Sequence, residues 1–505
     1  MVHNFNVLTV LTGAEKDLNK QVLLAFSSLF SLMSSYYLIK PLRKGFYFSE
    51  FSAELLPYFH LGAIVLIVAT TAVMVKVFNK DNSSNSARSF LVLVALINII
   101  SGLLLLSPNK LNVAWFCLWS SIYFPLSLAL YWGGVNQVFD AKGSKSSYAF
   151  IWIGAILGAL CGSYLTVIMN KYIHNLHWGY QFLFSTIFMV VAILLFQKLI
   201  CFSPINRLNN IPSENRNLES GRLFQMVCSL FKNPYLAAMT IIIFSLTFSR
   251  GVFDLESDAI IEREISSSLY QTHFSEINRI VSENDDDQKI NSRLFEFIFS
   301  YKNLSSKLQN EAFSSMQSEL SFNIEKSDFD KKYEIYRQSL KREITLFNSQ
   351  IWTYQNSISL AFLIVCKIQF ISKIGIRPLM MCLPLTYVAV FLILFTPVGL
   401  REIFVLKILT LSLDYSLHNT AKEILYVPLG KTVNIGYKPI IEGPVYKLGA
   451  ASSSAYKIII DTLLQAASST HLVSQLFLAT ATFVAIYWAK AASELSNKFK
   501  SIKSS

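Results

Sequence analysis

The sequence predicts an all-α membrane protein with about twelve transmembrane helices in two six-helix halves and a soluble helical insertion between helices 7 and 8. Of its 505 residues, 53% are hydrophobic and 15% are charged, a balance that ordinary soluble domains do not show. Apolar runs long enough to cross a membrane recur along the chain. One long segment differs from the rest because it concentrates the acidic residues.

The apolar runs form two series of six. The first series covers residues 22–39, 58–77, 90–106, 113–131, 148–169 and 180–200, and the second covers residues 236–253, 351–371, 378–395, 403–417, 451–464 and 471–488. The runs at 403–417 and 451–464 are shorter and more polar than the others, which favours helices that line a wet interior.

Lysine and arginine positions give the orientation, because these residues concentrate in cytoplasmic loops. Both termini are then cytoplasmic, and the insertion faces outside. The predicted segments are an N-terminal arm (1–20), a first six-helix half (21–201), a cytoplasmic linker (202–234), transmembrane helix 7 (235–254), the insertion (255–350), transmembrane helices 8 to 12 (351–490) and a cytoplasmic basic tail (491–505).

The insertion carries 17 of the 32 Asp and Glu residues of the chain. Its apolar residues recur at helical spacing, which predicts amphipathic helices; examples are Leu294, Phe297 and Ile298, or Phe329, Tyr333, Ile335 and Tyr336. Three roles are open to such a segment: binding a protein partner, capping the outer mouth, or stabilising the fold.

The two series of runs resemble a diverged repeat. The first run ends in "YYLIKPLRKGFYFSE" and the seventh in "LTFSRGVFDLESD", so charged residues occupy a corresponding place. Small residues in "GAILGALCGSYLTVI" have a counterpart in "YKLGAASSSAYKIII", and they allow close approach of helices. Repeated six-helix halves are typical of major facilitator transporters, whose substrate lies midway between the halves. The alternative is chance similarity between small-residue helices.

Several functional classes are disfavoured. The net charge of +12 is spread over loops without a nucleic-acid-binding motif, so no nucleic acid partner is expected. The fragment "GKT" at 430–432 lacks the first glycine of a P-loop, because Leu425 occupies that place. HExxH and GxSxG motifs do not occur. The expectation is therefore a non-enzyme with no cofactor and no bound metal.

Ionisable residues within apolar runs are the best functional candidates, since each costs about 2.5 to 3.5 kcal/mol on insertion scales. Arginine and lysine clusters suit a multiply charged anion such as a phosphorylated solute. The candidates for binding phosphate are Lys40, Arg43, Arg250, Lys422 and Lys447; those for a base or ribose are Asn136, Gln137, Asp414 and Asn419; those for charge balance or gating are Asp254 and Glu423. Snorkelling of Lys40 and an internal Arg250–Asp254 ion pair are the alternatives.

A resemblance to the ATP:ADP antiporter, or nucleotide transporter, family of intracellular bacteria and plastids rests on three stretches: "LYWGGVNQV" (130–138), "PLRKGFYFSEFSAELLPYF" (41–59) and "DYSLHNTAKEILYVPLGK" (414–431). It covers both membrane halves and leaves out residues 255–350. The resemblance implies a lipid-embedded exchanger of nucleotides, multi-pass and located in a bacterial inner (cell) membrane. It places Arg43 where the family has a substrate-important lysine.

The sequence also departs from the family pattern. Ser120 stands near the place of an acidic residue of the fourth helix, Gly430 replaces an aspartate, and Ala450 lies where the family has a lysine. The resemblance and the cationic residues together predict a nucleotide as the substrate, and the departures extend this expectation to a related phosphorylated anion. The alternatives are a transporter of a different small solute on the same scaffold, or a transport-inactive receptor or assembly protein that works through the insertion.

Overall fold

A computed structural model describes residues 19–78, 83–139, 144–172, 178–201, 230–275, 287–304, 306–320, 325–366, 375–426, 441–464 and 470–504. Within these ranges every regular element is a helix. Most of the predicted N-terminal arm and of the 202–234 linker lies outside the described residues.

The first half contains six long helices. They are α1 (Asn19–Glu50), α2 (Leu56–Phe78), α3 (Ser83–Leu104), α4 (Lys110–Val138), α5 (Ser144–Tyr172) and α6 (Trp178–Ile200). A 3₁₀ turn at Ala53–Leu55 joins α1 to α2. The side chain of Asn109 accepts a hydrogen bond from the backbone of Asn112, which satisfies one of the free donors at the start of α4.

The second half contains the remaining helices. They are α7 (Pro234–His273), α8 (Asp287–Tyr301), α9 (Ser306–Leu320), α10 (Lys326–Cys366), α11 (Ile376–Leu394), α12 (Leu400–Leu413), α13 (Asn419–Tyr426), α14 (Tyr446–Leu464) and α15 (Thr470–Ser504). A π-helical turn at Asp414–His418 connects α12 directly to α13. A second π-helical turn at Ile441–Val445 precedes α14.

Eight of the described helices are long and apolar enough to cross a membrane: α1, α2, α4, α5, α6, α7, α11 and α15. The other predicted spans fall on α3, α10, α12 and α14, which do not meet the same criteria of length and hydropathy within the described residues. The protein is therefore a multi-pass integral membrane protein, and within the described residues eight of the twelve predicted spans fall on helices that meet these criteria.

Two helices are far longer than a bilayer requires. Helix α7 has 40 residues and α10 has 41, so each extends about 60 Å, roughly twice the thickness of the hydrocarbon core. The boundaries predicted at 254/255 and 350/351 fall inside these continuous helices. Composition changes there, but the helical hydrogen bonding continues because the acidic part of each helix still has apolar neighbours to pack against.

The projecting ends of α7 and α10 pack with α8 and α9 around an aromatic core. The buried aromatic residues of this core are Tyr270, Phe274, Phe297, Tyr301, Phe313, Phe329, Tyr333 and Tyr336. Leu294 and Ile298 are also fully buried, as the helical spacing predicts. Ile335 is 54% exposed, because it lies two residues from Tyr333 and one from Tyr336 and so points off the face that they share.

Small residues bring equivalent helices together in both halves. A β-carbon added to Gly154 or Gly162 of α5 would lie 2.8 Å from the carbonyl oxygen of Phe26 or 2.5 Å from that of Ser34, both on α1. A β-carbon on Gly449 of α14 would lie 2.6 Å from the carbonyl oxygen of Phe244 on α7. The small-residue stripes thus serve the same purpose at the α1–α5 and α7–α14 contacts, which is close backbone approach.

The two halves meet mainly at one end of the bundle. Helix α10 packs against α1 and α5, and α14 packs against α2. We call this end, where α1 ends at Glu50 and α2 begins at Leu56, the gate end. Between described residues, the hydrogen bonds and ion pairs that join the halves start at Lys44 on α1, and none uses residues 21–39. The described structure is therefore closed at the gate end.

Candidate functional site

Three cations share one face of α1. Lys40, Arg43 and Lys44 are three and four residues apart, a spacing that places side chains on the same side of a helix. From the second half, α10 packs against α1, and Asp258 of α7 lies 2.6 Å from Lys44. The candidate site thus lies between the halves, on the bundle side of the gate end.

A chain of alternating charges runs through this interface. Lys44 Nζ lies 2.6 Å from Asp258 Oδ1, and Lys407 Nζ lies 3.3 Å from the same oxygen and 3.0 Å from Asp254 Oδ1. The side chains of Lys407 and Asp258 are each 3% exposed. Because buried charges need opposite charges close by, these four residues act as one electrostatic unit across α1, α7 and α12.

Arg250 extends the series of alternating charges. Its guanidinium lies 3.1 Å from Asp414 and 3.8 Å from Asp254, and its central carbon lies 5.6 Å from the centre of the Tyr415 ring. The π-helical turn puts Asp414 on the inner side of this helix, where the carboxylate is buried. The internal ion pair considered for Arg250 is thus present, with Asp414 closer than Asp254.

Lys40 contacts aromatic rings. Its ammonium nitrogen lies 3.2 Å from the ring centre of Trp352 and 4.7 Å and 5.5 Å from those of Tyr37 and Tyr36. Trp352 belongs to α10, so this cation–π contact joins the halves. Attraction of this kind is worth about 0.5 to 2 kcal/mol, which holds the lysine without neutralising it.

Arg43 is held by a neutral partner. It donates to the hydroxyl of Ser121 at 2.9 Å, and Ser121 donates to the backbone oxygen of Cys117 at 2.8 Å. Arg43, Lys44, His60 and Asp258 line a small pocket beneath the gate end. A guanidinium with one neutral contact keeps donors for a carboxylate or phosphate.

Lys447 completes the set of cations. It lies at the start of α14, 5.9 Å from the Tyr446 ring centre, and close enough to Arg250 and Arg43 for their charges to act on it. Among the described residues, no carboxylate lies within 4.0 Å of Lys40, Arg43 or Lys447.

The charges of the site do not balance. The alternating chain holds three cations and three carboxylates: Lys44, Lys407 and Arg250 with Asp258, Asp254 and Asp414. Lys40, Arg43 and Lys447 add three positive charges without a described carboxylate partner. Among the described residues, the interior thus holds three more cations than carboxylates, and such an excess attracts a multiply charged anion.

Lys422, Glu423, Asn419, Asn136 and Gln137 are the remaining predicted residues. Lys422 forms an ion pair with Glu442 at 3.1 Å, so the structure gives it Glu442 where the sequence suggested Glu423, which is exposed. Asn419 is half-buried at the start of α13. Asn136 and Gln137 belong to α4, but their side chains lie outside the described residues.

Lys407 and Asp258 were missed by the sequence analysis. Lys407 stands inside the apolar run 403–417, and the rule that intramembrane charges are functional would have found it. Asp258 is four residues after Asp254 and eight after Arg250, so all three share a helical face. Its assignment to the soluble insertion hid that relation.

The comparisons with known proteins agree with the fold. Residues 342–499 match the model of a family described as TLC ATP/ADP transporter. A mutant of the nucleoside transporter NupG has a similar structure, with a TM-score of 0.50 and 13% identity over 94% of this chain and 99% of that chain. A bacterial homolog of the human lysosomal transporter Spinster, inward-facing and unoccupied, has a TM-score of 0.49 and 11% identity over 97% and 99%. No curated protein matches the chain.

At 13% identity, the similarity to the NupG structure concerns the fold alone. The fold and the family match support a membrane transporter for a small molecule and point away from an enzyme. The match over residues 342–499 confirms the predicted resemblance and is consistent with a divergent member of the TLC ATP/ADP transporter family.

Proposed function

We propose that the protein exchanges nucleotides of the ATP/ADP type, or a related phosphorylated anion, across the membrane by alternating access. The observation that carries the proposal is the excess of three cations between the two halves, at Lys40, Arg43 and Lys447. Phosphate groups supply several negative charges in a small volume, and arginine can bind two of their oxygens at once.

The aromatic surroundings favour an anion with a planar base over inorganic phosphate. Tyr36, Tyr37 and Trp352 surround Lys40, and the Tyr415 ring beside Arg250 is 37% exposed. Aromatic rings stack on bases with about 1–3 kcal/mol per base. The cations would therefore bind the phosphates while one of these neighbouring rings holds the base.

Exchange, as opposed to one-way transport, follows from the cost of the empty site. When the halves close over the site, three unpaired cations lose water and repel one another. A bound anion removes this cost, so the transporter changes state more readily when loaded. Differential binding to the two states then couples uptake of one anion to release of another.

For the topology, we propose that the gate end faces outside, that both termini are cytoplasmic and that the membrane is a bacterial inner membrane. The projecting helices between α7 and α10 then lie outside the cell. The lysine and arginine bias of the alternate loops supports this orientation.

The test is uptake into proteoliposomes with a panel of labelled nucleotides, phosphate and pyrophosphate. We expect uptake only when the vesicles contain a counter-anion, and a loss of more than about tenfold in Arg43→Gln and Lys447→Gln. Lys331→Gln is the control, because Lys331 is 77% exposed and lies near the start of α10, about six helical turns before Trp352. Failure of every phosphorylated compound, in exchange and in competition, would exclude the proposal.

A further inference from the structure

We propose that α8, together with residues 302–304 directly after it, is a latch segment that holds the gate end closed, and that Lys302 is the residue that locks it. The inference requires that the transporter opens at its gate end, and it does not depend on which solute is carried.

Lys302 connects the projecting helices to both halves. It follows α8 directly, and its ammonium forms an ion pair with Glu262 of α7. The same ammonium donates to the backbone oxygen of Phe48 on α1 at 3.0 Å. The side chains of Lys302 and Glu262 are 4% and 1% exposed, so this ion pair is shielded from water although it lies outside the apolar interior of the bundle.

Glu262 itself also reaches the first half. Its second carboxylate oxygen accepts a hydrogen bond from the backbone nitrogen of Ala53 at 2.8 Å. The Lys302–Glu262 pair therefore contacts the last turn of α1 and the 3₁₀ turn before α2 at the same time. Opening the gate end separates α7 from α1 and breaks the hydrogen bonds to Phe48 and Ala53, so each charged group of the pair loses one buried hydrogen bond.

Two further contacts also join the halves at the gate end. Arg337 of α10 forms an ion pair with Glu50 at the end of α1. Lys110 at the start of α4 donates to the backbone oxygen of Leu304 at 3.1 Å. The segment thus touches the first half near α1, α2 and α4, which surround the gate end.

The chain provides a matched control in the ion pair of Arg263 and Glu296. This pair joins α7 to α8 at 3.0 Å, as Lys302–Glu262 joins the end of α8 to α7, but its side chains are 68% and 55% exposed. Neither residue has a described contact with the first half. Surface pairs of this kind contribute little, so its removal leaves the gate unchanged.

The experiment uses Cys117 as a reporter, since it is buried in the pocket beneath the gate end. In a variant of the full chain that keeps Cys117 as its single cysteine, labelling by a membrane-impermeant maleimide is measured in right-side-out vesicles. Lys302→Gln combined with Glu262→Gln avoids leaving one charge unpaired. We expect labelling to become about tenfold faster in this variant, and to stay within about twofold in Arg263→Gln/Glu296→Gln.

Arg337→Gln provides a second route to the same answer, because it breaks a separate contact with Glu50. We expect Arg337→Gln to speed labelling of Cys117 about threefold. This result tests the latch even if the double variant does not fold, as judged by size-exclusion chromatography. Unchanged labelling in the folded variants, or equal acceleration in the Arg263/Glu296 control, would overturn the latch. Substrate uptake is measured separately, so that an incorrect substrate class leaves the labelling result intact.

Discussion

Lys407 offers the sharpest test of the charge network. It lies 3.0 Å from Asp254 and 3.3 Å from Asp258, and at an effective dielectric constant of about 20 each contact attracts by about 5 kcal/mol. Replacing the lysine by glutamine also removes its own desolvation cost of several kcal/mol. Lys44 and Arg250 remain as partners of the two aspartates. We therefore expect Lys407→Gln to destabilise the protein by about 3 kcal/mol, as loss of one partner of a buried pair commonly does.

The double variant Lys407→Gln/Asp254→Asn separates charge balance from lost contacts. In the double variant, the charge network holds two cations and two carboxylates. In the single variant it holds two cations and three carboxylates. We expect the double variant to regain at least about 1 kcal/mol in a double-mutant cycle. The measurement is equilibrium unfolding by SDS in mixed micelles, followed by tryptophan fluorescence.

Lys331→Gln is the control for this cycle. Its ion pair with Asp328 spans 3.5 Å, with side chains 77% and 61% exposed, so its loss should cost less than about 0.5 kcal/mol. Equal destabilisation in the single and double Lys407 variants, with no coupling to Asp254, would refute the idea that the aspartates need the lysine for charge balance.

The remaining predictions concern the site and the helix contacts. Arg43→Lys should keep part of the uptake that Arg43→Gln loses, because it retains the charge and loses the planar fork; the ratio of kcat/KM values measures this. Raising salt from 50 to 500 mM should weaken inhibition by a triphosphate more than by a monophosphate, since screening acts on charge; competition uptake measures it. Gly158→Leu should abolish folding, because its β-carbon would overlap the Phe30 backbone. Gly443→Ala is the control, because the described structure leaves open space around Gly443. The yield of folded protein in size-exclusion chromatography measures both, and it should be unchanged for Gly443→Ala.

Sequence patterns predicted the parts of the structure that depend on local chemistry. Apolar run length indicated a multi-pass membrane protein because lipid demands about 20 apolar residues per span. The small residues around Gly158 and Gly449 indicated close helix contacts, and the described structure has them. The motif of residues 414–431 indicated the family, and the match over residues 342–499 agrees.

The limits of helices were less predictable from composition. Acidic residues begin at Asp254, yet α7 continues to His273, since neighbouring helices bury its apolar face. The helical spacing groups Ile335 with Tyr333 and Tyr336, but its offset of one residue from Tyr336 turns it to solvent. The residue at which a helix leaves the membrane need not be the residue at which the helix ends, and hydropathy indicates only where it leaves the membrane.

The sequence by itself determined that this chain is a helical membrane protein with unusual charges in its apolar runs, because hydropathy and periodicity are local properties. Only the tertiary structure decided which charges neutralise one another: Asp258 with Lys44 and Lys407, Asp414 with Arg250, and Lys302 with Glu262. These partners are separated by 40 to 214 residues along the chain. Electrostatic energy depends on distance in space, so the excess of cations that points to an anionic substrate becomes visible when the helices are packed together.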